Sequence, residues 1–248
     1  MHGPEADVPV CGSRDEGLDQ KGYNKGDFIM PSVRRRTTLP VHQSLVSLQA
    51  SRDDAIRYIY RHHDPQVNKV VVMFPGQSYP VYAPLFWYLG ELALQAGYDV
   101  LGLEYGFQRM KHTLQSVDAL VDEVGERLEA FFAQHPYRHV TVVAKSLGTV
   151  VASQLGGILE SANPDAIYLT PLPRAIEAMQ RATRMLVAVG DQDPLFRADD
   201  VRQIEYLAKL DLMLVPGADH ALEIPGSIPQ SIDILGKLMN RCREFLGR

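Results

Sequence analysis

An α/β fold built on a mostly parallel, eight-stranded sheet flanked by helices is predicted by three features of the chain. Short apolar runs recur that are too continuous for half-exposed strands, helix-length stretches separate most of them, and the first two runs follow one another with no helix between. No internal repeat and no second globular unit is visible.

The runs Val70-Val71-Val72-Met73-Phe74 and Val140-Thr141-Val142-Val143-Ala144 read as strands covered on both faces. Strands are expected over His42–Leu48, Ala55–Tyr60, Lys69–Phe74, Asp99–Tyr105, His139–Lys145, Ala166–Thr170, Met185–Val189 and Leu212–Val215. Helices are expected over Pro84–Ala96, Leu114–Gln134, Leu147–Glu160, Arg174–Arg181, Asp200–Ala208 and Ile228–Phe245. This alternation calls for right-handed crossovers, with the first two strands forming an antiparallel start to the sheet. Residues 1–40 are rich in turn formers and lack periodicity, so they are expected to form a flexible N-terminal extension, with the folded domain over 41–248.

Composition narrows the function classes. Of 248 residues, 46% are hydrophobic and 22% charged, which suits a soluble domain with a substantial core. A net charge of −5 disfavours a broad nucleic-acid or anionic-membrane surface, and Arg34-Arg35-Arg36 is too small a basic run to change that. Two cysteines, Cys11 and Cys242, form neither a disulfide framework nor a zinc spacing. No apolar run is long enough to span a bilayer, and the N-terminus lacks the apolar stretch of a secretory signal. A cytoplasmic protein is therefore the expectation.

The most informative stretch is Ala144-Lys145-Ser146-Leu147-Gly148, where a buried strand runs into a serine and a helix begins at once. A sharp turn there strains the serine backbone and holds its hydroxyl clear of its neighbours. Small residues two places before and after let strand and helix approach closely. Alone, small-x-Ser-x-Gly is also compatible with an ordinary helix N-cap serine; the strand before it and the helix after it favour a nucleophile. Lys145 is expected to be a hydrophilic turn residue facing solvent. Eight histidines are present, and only His220 follows Ser146, in the loop Pro216-Gly217-Ala218-Asp219-His220-Ala221. Between them, Gly190-Asp191-Gln192-Asp193-Pro194 follows another predicted strand.

With these elements in this order, the segment from about 42 to 245 resembles the α/β-hydrolase superfamily, and within it the small lidless serine hydrolases. The resemblance implies a catalytic Ser146, Asp193 and His220. Asp191 competes for the acid, but family loops of the form G-x-x-D place it at the last position. The resemblance also implies an oxyanion hole made by the backbone N–H groups of Leu147 and Gln77. Many relatives have His-Gly before the second donor, where this chain has Pro75-Gly76. The first glycine of the usual elbow is Ala144 here. The connection from Pro171 to Thr183 is too short for a cap domain, so an open cleft for a small ester-type substrate (carboxylester, thioester or lactone) is expected. No cofactor or metal, no nucleic-acid partner and no membrane partner is implied. A non-catalytic ligand-binding protein of the same fold and a small peptidase are the alternatives.

Other signals weigh less. Ser78 is followed by Tyr79 and Pro80, which rules out a second elbow there. His62-His63-Asp64 invites a metal reading, but adjacent strand residues point to opposite faces, so a surface strand end is expected. Tyr82, Phe86, Trp87 and Tyr88 are expected to pack the first helix or edge the cleft.

Overall fold

Residues Lys69–Phe74 form β3 in the structure, a computed structural model that describes residues 40–46, 56–159 and 164–247. Val70, Val72 and Phe74 enter the core on one face of the sheet, and Val71 and Met73 the core on the other. Two-sided burial is why this strand reads as an unbroken apolar run. The extension expected over residues 1–40 lies outside the described residues apart from Pro40.

The other strands are β1 (Val41–Val46), β2 (Arg57–His63), β4 (Asp99–Glu104), β5 (His139–Ser146), β6 (Asp165–Pro171), β7 (Arg184–Gly190) and β8 (Leu210–Val215). They form one sheet in the order β1-β2-β4-β3-β5-β6-β7-β8. β2 runs antiparallel to both neighbours, and every pairing from β4 to β8 is parallel. The eight predicted strands are all found; the predicted ends at Leu48 and Ala55 lie outside the described residues, and the other ends are displaced by up to three residues.

One face of the sheet is covered by α1 (Pro84–Gln95) and α8 (Ile228–Leu246). Ile234, Leu238, Cys242 and Phe245 fall on the buried side of α8 at helical spacing. The other face is covered by α3 (Val117–Gln134) and α4 (Leu147–Gln154), with the short helices α5 (Gly156–Leu159), α6 (Ile176–Met179) and α7 (Ala198–Ile204) beside them. α3 starts three residues later than predicted because Ser116 caps it, its hydroxyl accepting from the Ala119 N–H at 3.2 Å. The single helix expected over Leu147–Glu160 breaks at Leu155, ahead of Gly156-Gly157, whose backbone freedom disfavours a helix interior. A five-residue helix, α2 (Gly106–Met110), was not expected.

His62-His63-Asp64 departs from a plain surface strand end. The two rings do diverge: His62 stacks on His42 and Tyr60, while His63 is buried and its Nδ1 lies 2.9 Å from the buried Asp99 carboxylate. The same carboxylate accepts from the Tyr137 hydroxyl at 2.6 Å and from the His63 N–H at 2.8 Å. This network secures the antiparallel edge at the end of the sheet where β4 begins, opposite the end at which Ser146 emerges. Of the aromatics near α1, only Phe86 is fully buried; Tyr82 and Tyr88 are exposed.

Candidate active site

β5 ends at Ser146, and α4 begins at the next residue. Ser146 has φ 49° and ψ −118°, a left-handed conformation that costs a serine backbone energy and that a helix-capping serine does not need. Its hydroxyl caps nothing. Instead, the Thr149 hydroxyl donates to the Ser146 carbonyl at 2.7 Å and steadies the turn. Glycine is required two places on: a Cβ at Gly148 would sit 2.1 Å from the Phe74 carbonyl oxygen. Ala144, two places before the serine, is fully buried.

Ser146 Oγ lies 2.8 Å from His220 Nε2, and His220 Nδ1 lies 2.8 Å from Asp193 Oδ2. With the ring proton on Nδ1 donated to the carboxylate, Nε2 is left to accept the serine proton. The Asp193 side chain is fully shielded from solvent, and its second oxygen accepts from the Leu195 N–H at 2.8 Å. Asp191 faces elsewhere, accepting from the Gly217 N–H at 2.7 Å and so tying the turn after β7 to the turn after β8. These turns touch: a Cβ at Gly190 would lie 2.0 Å from the Ala218 carbonyl oxygen, so only glycine lets the acid and the histidine approach.

The loop after β3 packs against the elbow, because a Cβ on Gly76 would meet Ser146 Cβ at 3.3 Å. Gln108, on α2, donates through Nε2 to the carbonyls of Gly76 at 2.5 Å and Gln77 at 3.1 Å. The Gly76–Gln77 peptide is trans, so holding its carbonyl on the Gln108 side turns the Gln77 N–H the opposite way. Gln108 thus anchors the loop that carries Gln77. Leu147 contributes the first backbone N–H of α4, one of the groups a helix leaves without an intrahelical partner.

Lys145 does not face solvent. It is 2% exposed, and its Nζ donates to the Thr170 hydroxyl at 2.7 Å and to the His220 carbonyl at 2.8 Å, lying 5.2 Å from the centre of the Tyr79 ring. Strand alternation explains the difference: Ser146 projects into the cleft, so its neighbour projects back into the protein. Burial pulls the lysine down to about 8, while Asp193, Asp219 and Glu223 work in the opposite direction.

A cavity of about 470 Å³ lies next to the histidine loop, between α1 and the start of α8, with Leu85, Ile224, Ile232 and Leu235 among its walls. Asp219 and Ala221 border it, but neither Ser146 nor His220 lines it. Sequence patterns pointed to Ser146, Asp193, His220, Leu147 and Gln77, and the structure brings all five segments to one end of the sheet. Gln108, Lys145 and Thr170 were missed as site residues, since each acts on a partner distant in sequence.

No protein-family model matches the chain, and comparison with curated proteins returns no match. Solved structures do resemble it. A lidless α/β serine hydrolase from Xanthomonas campestris superposes with a TM-score of 0.61 at 17% identity, covering 83% of this chain and 96% of its own. An esterase from Pyrococcus furiosus gives 0.59 at 13% identity, covering 84% and 92%, and an α/β serine hydrolase homologue from Coxiella burnetii gives 0.59 at 13%, covering 88% and 99%. At such identities the likeness speaks for architecture, and it agrees with the strand order and elbow described above: the chain has the α/β-hydrolase fold, with no cap domain among its described residues.

Proposed function

We propose that the chain is a serine hydrolase that cleaves a small ester-type bond, a carboxylester, thioester or lactone, through an acyl-enzyme. The observation that carries this reading is the hydrogen-bonded relay from Ser146 through His220 to Asp193, set on a strained elbow. His220 takes the serine proton as Oγ attacks the acyl carbon, and Asp193 stabilises the imidazolium that results. The N–H groups of Leu147 and Gln77 receive the developing oxyanion, each such donor being worth about 3 kcal/mol in the transition state. His220 then returns the proton to the leaving group. Water then attacks the acyl carbon and loses a proton to His220, and the Oγ–acyl bond breaks as His220 passes that proton back to Ser146, releasing the acid.

The test is covalent labelling with a fluorophosphonate probe, followed by peptide mapping. Wild-type protein is expected to be labelled on Ser146, with labelling lost in Ser146→Ala and strongly slowed in His220→Ala. A folded wild-type protein that stays unlabelled would instead leave the fold as a scaffold for non-covalent binding.

A further inference from the structure

Lys145 is the one ammonium group sealed beneath the catalytic relay among the described residues, and the hydrolytic steps make no use of it. Burying a cation is costly unless its hydrogens are taken up. Here two of them meet oxygen acceptors and the amine also faces an aromatic ring, and these partners come from three segments of the site. Thr170 stands at the end of β6, Tyr79 on the loop that carries Gln77, and the His220 carbonyl belongs to the histidine loop.

Thr170 supplies an independent observation. Pairing between β5 and β6 slips at this point: Lys145 is opposite Leu169 and Ser146 is opposite Pro171, so Thr170 is an extra residue with no partner of its own. Its φ is 41°, a conformation that β-branched residues rarely adopt. The bulge and the strain place its fully buried hydroxyl on the lysine amine.

We propose that Lys145 is a positioning residue, a buried ammonium that, braced by the bulged Thr170, holds the His220 carbonyl and so sets the reach of the imidazole to Ser146. This rests on the serine-hydrolase reading for its kinetic consequences, though not for its structural ones. Asp193, Asp219 and Glu223 are the carboxylates whose charges act on the amine.

The experiment compares Lys145→Met, Thr170→Val and Thr170→Ser with the wild type, using steady-state kinetics and the NMR signals of the His220 ring. Misplacing a reacting group by about 1 Å can cost on the order of 10²-fold in rate. Lys145→Met is therefore expected to lower kcat about a hundredfold with KM within about threefold, and to shift the His220 ring signals as the imidazole leaves Ser146. Thr170→Val is expected to lower kcat about tenfold with KM likewise held, and Thr170→Ser to restore it. A folded Lys145→Met variant with kcat within threefold of wild type and unmoved His220 ring signals overturns the proposal. If that variant does not fold, a Thr170→Val enzyme indistinguishable from wild type overturns it. Should wild-type protein fail to react with the fluorophosphonate probe, the hydrolase reading falls, and the His220 ring signals still decide the role of Lys145.

Discussion

Replacing Lys145 by methionine removes a buried titrating group, and the consequence for stability can be worked through. Burial lowers the lysine from 10.5 to about 8 in the folded chain, a difference worth about 3 kcal/mol at 1.36 kcal/mol per pH unit. The folded value lies below the unfolded one, so below pH 8 both states hold the proton and the folded state bears the whole cost of the buried charge. Between about 8 and 10.5 the unfolded chain keeps a proton that the folded chain has released, and stability rises with pH. Wild-type stability alone does not isolate this. Burial raises Cys242 from 9.0 to about 12, so ionisation of the unfolded thiol erodes stability above pH 9, and buried Tyr58 and Tyr105, likewise raised, add to the loss at higher pH. These groups are common to wild type and variant and cancel in the difference between them. Urea unfolding of both at about pH 7.5 and about pH 9.5 should show the wild type gaining about 2 kcal/mol on Lys145→Met between the two conditions. A difference that stays constant within about 0.5 kcal/mol would refute the reasoning, because the lysine would then titrate alike in both states.

Three further outcomes are expected. Ser146→Ala and His220→Ala should each lower ester turnover by roughly 10⁴–10⁶-fold, measured on samples whose circular dichroism matches wild type; near-normal rates would remove the relay from the mechanism. Asp193→Asn should cost about 10⁴-fold in kcat, as the side chain no longer selects the imidazole tautomer, whereas Asp191→Asn keeps an amide oxygen to accept from the Gly217 N–H and should stay within about tenfold; the reverse ranking would reassign the acid. With no cap domain among the described residues, and with the neighbouring cavity not reaching Ser146, kcat/KM for p-nitrophenyl esters should peak at about two to six acyl carbons without an interfacial jump. Each methylene buried in a covered tunnel would bring about 0.8 kcal/mol, so a steady rise with chain length would mean that another segment shelters the acyl group.

How much of this site could be read from the sequence depended on how local each signal is. Ala144 to Gly148 carry their own geometry, because the strained turn and the close helix approach are demanded by five consecutive residues. His220 and Asp193 followed from their order and from their places just after strands. Lys145 was misread because strand alternation continues through a turn that looks exposed, and its partners lie 25 and 75 residues away. Gln108 reaches 32 residues back to Gly76, from a helix too short for any periodicity to announce it. The strand pattern was legible because two-sided burial leaves a compositional mark; the β-bulge at Thr170 leaves none.

The separation of these partners also says when the site comes into being as the chain folds. Ser146 and His220 are 74 residues apart, and β6, β7 and β8 lie between them along the chain. Closing so long a loop is entropically unfavourable until the intervening parallel strands are paired, and parallel pairings with crossover helices form slowly. The hydroxyl–imidazole contact therefore belongs to the last stage of assembly, after the elbow itself, whose contacts to Phe74 need only β3 and β5. Return of the Ser146–His220 contact during refolding, followed by NMR of the His220 ring, is accordingly expected to mark completion of the sheet and to lag behind the return of helical signal from α3 and α4.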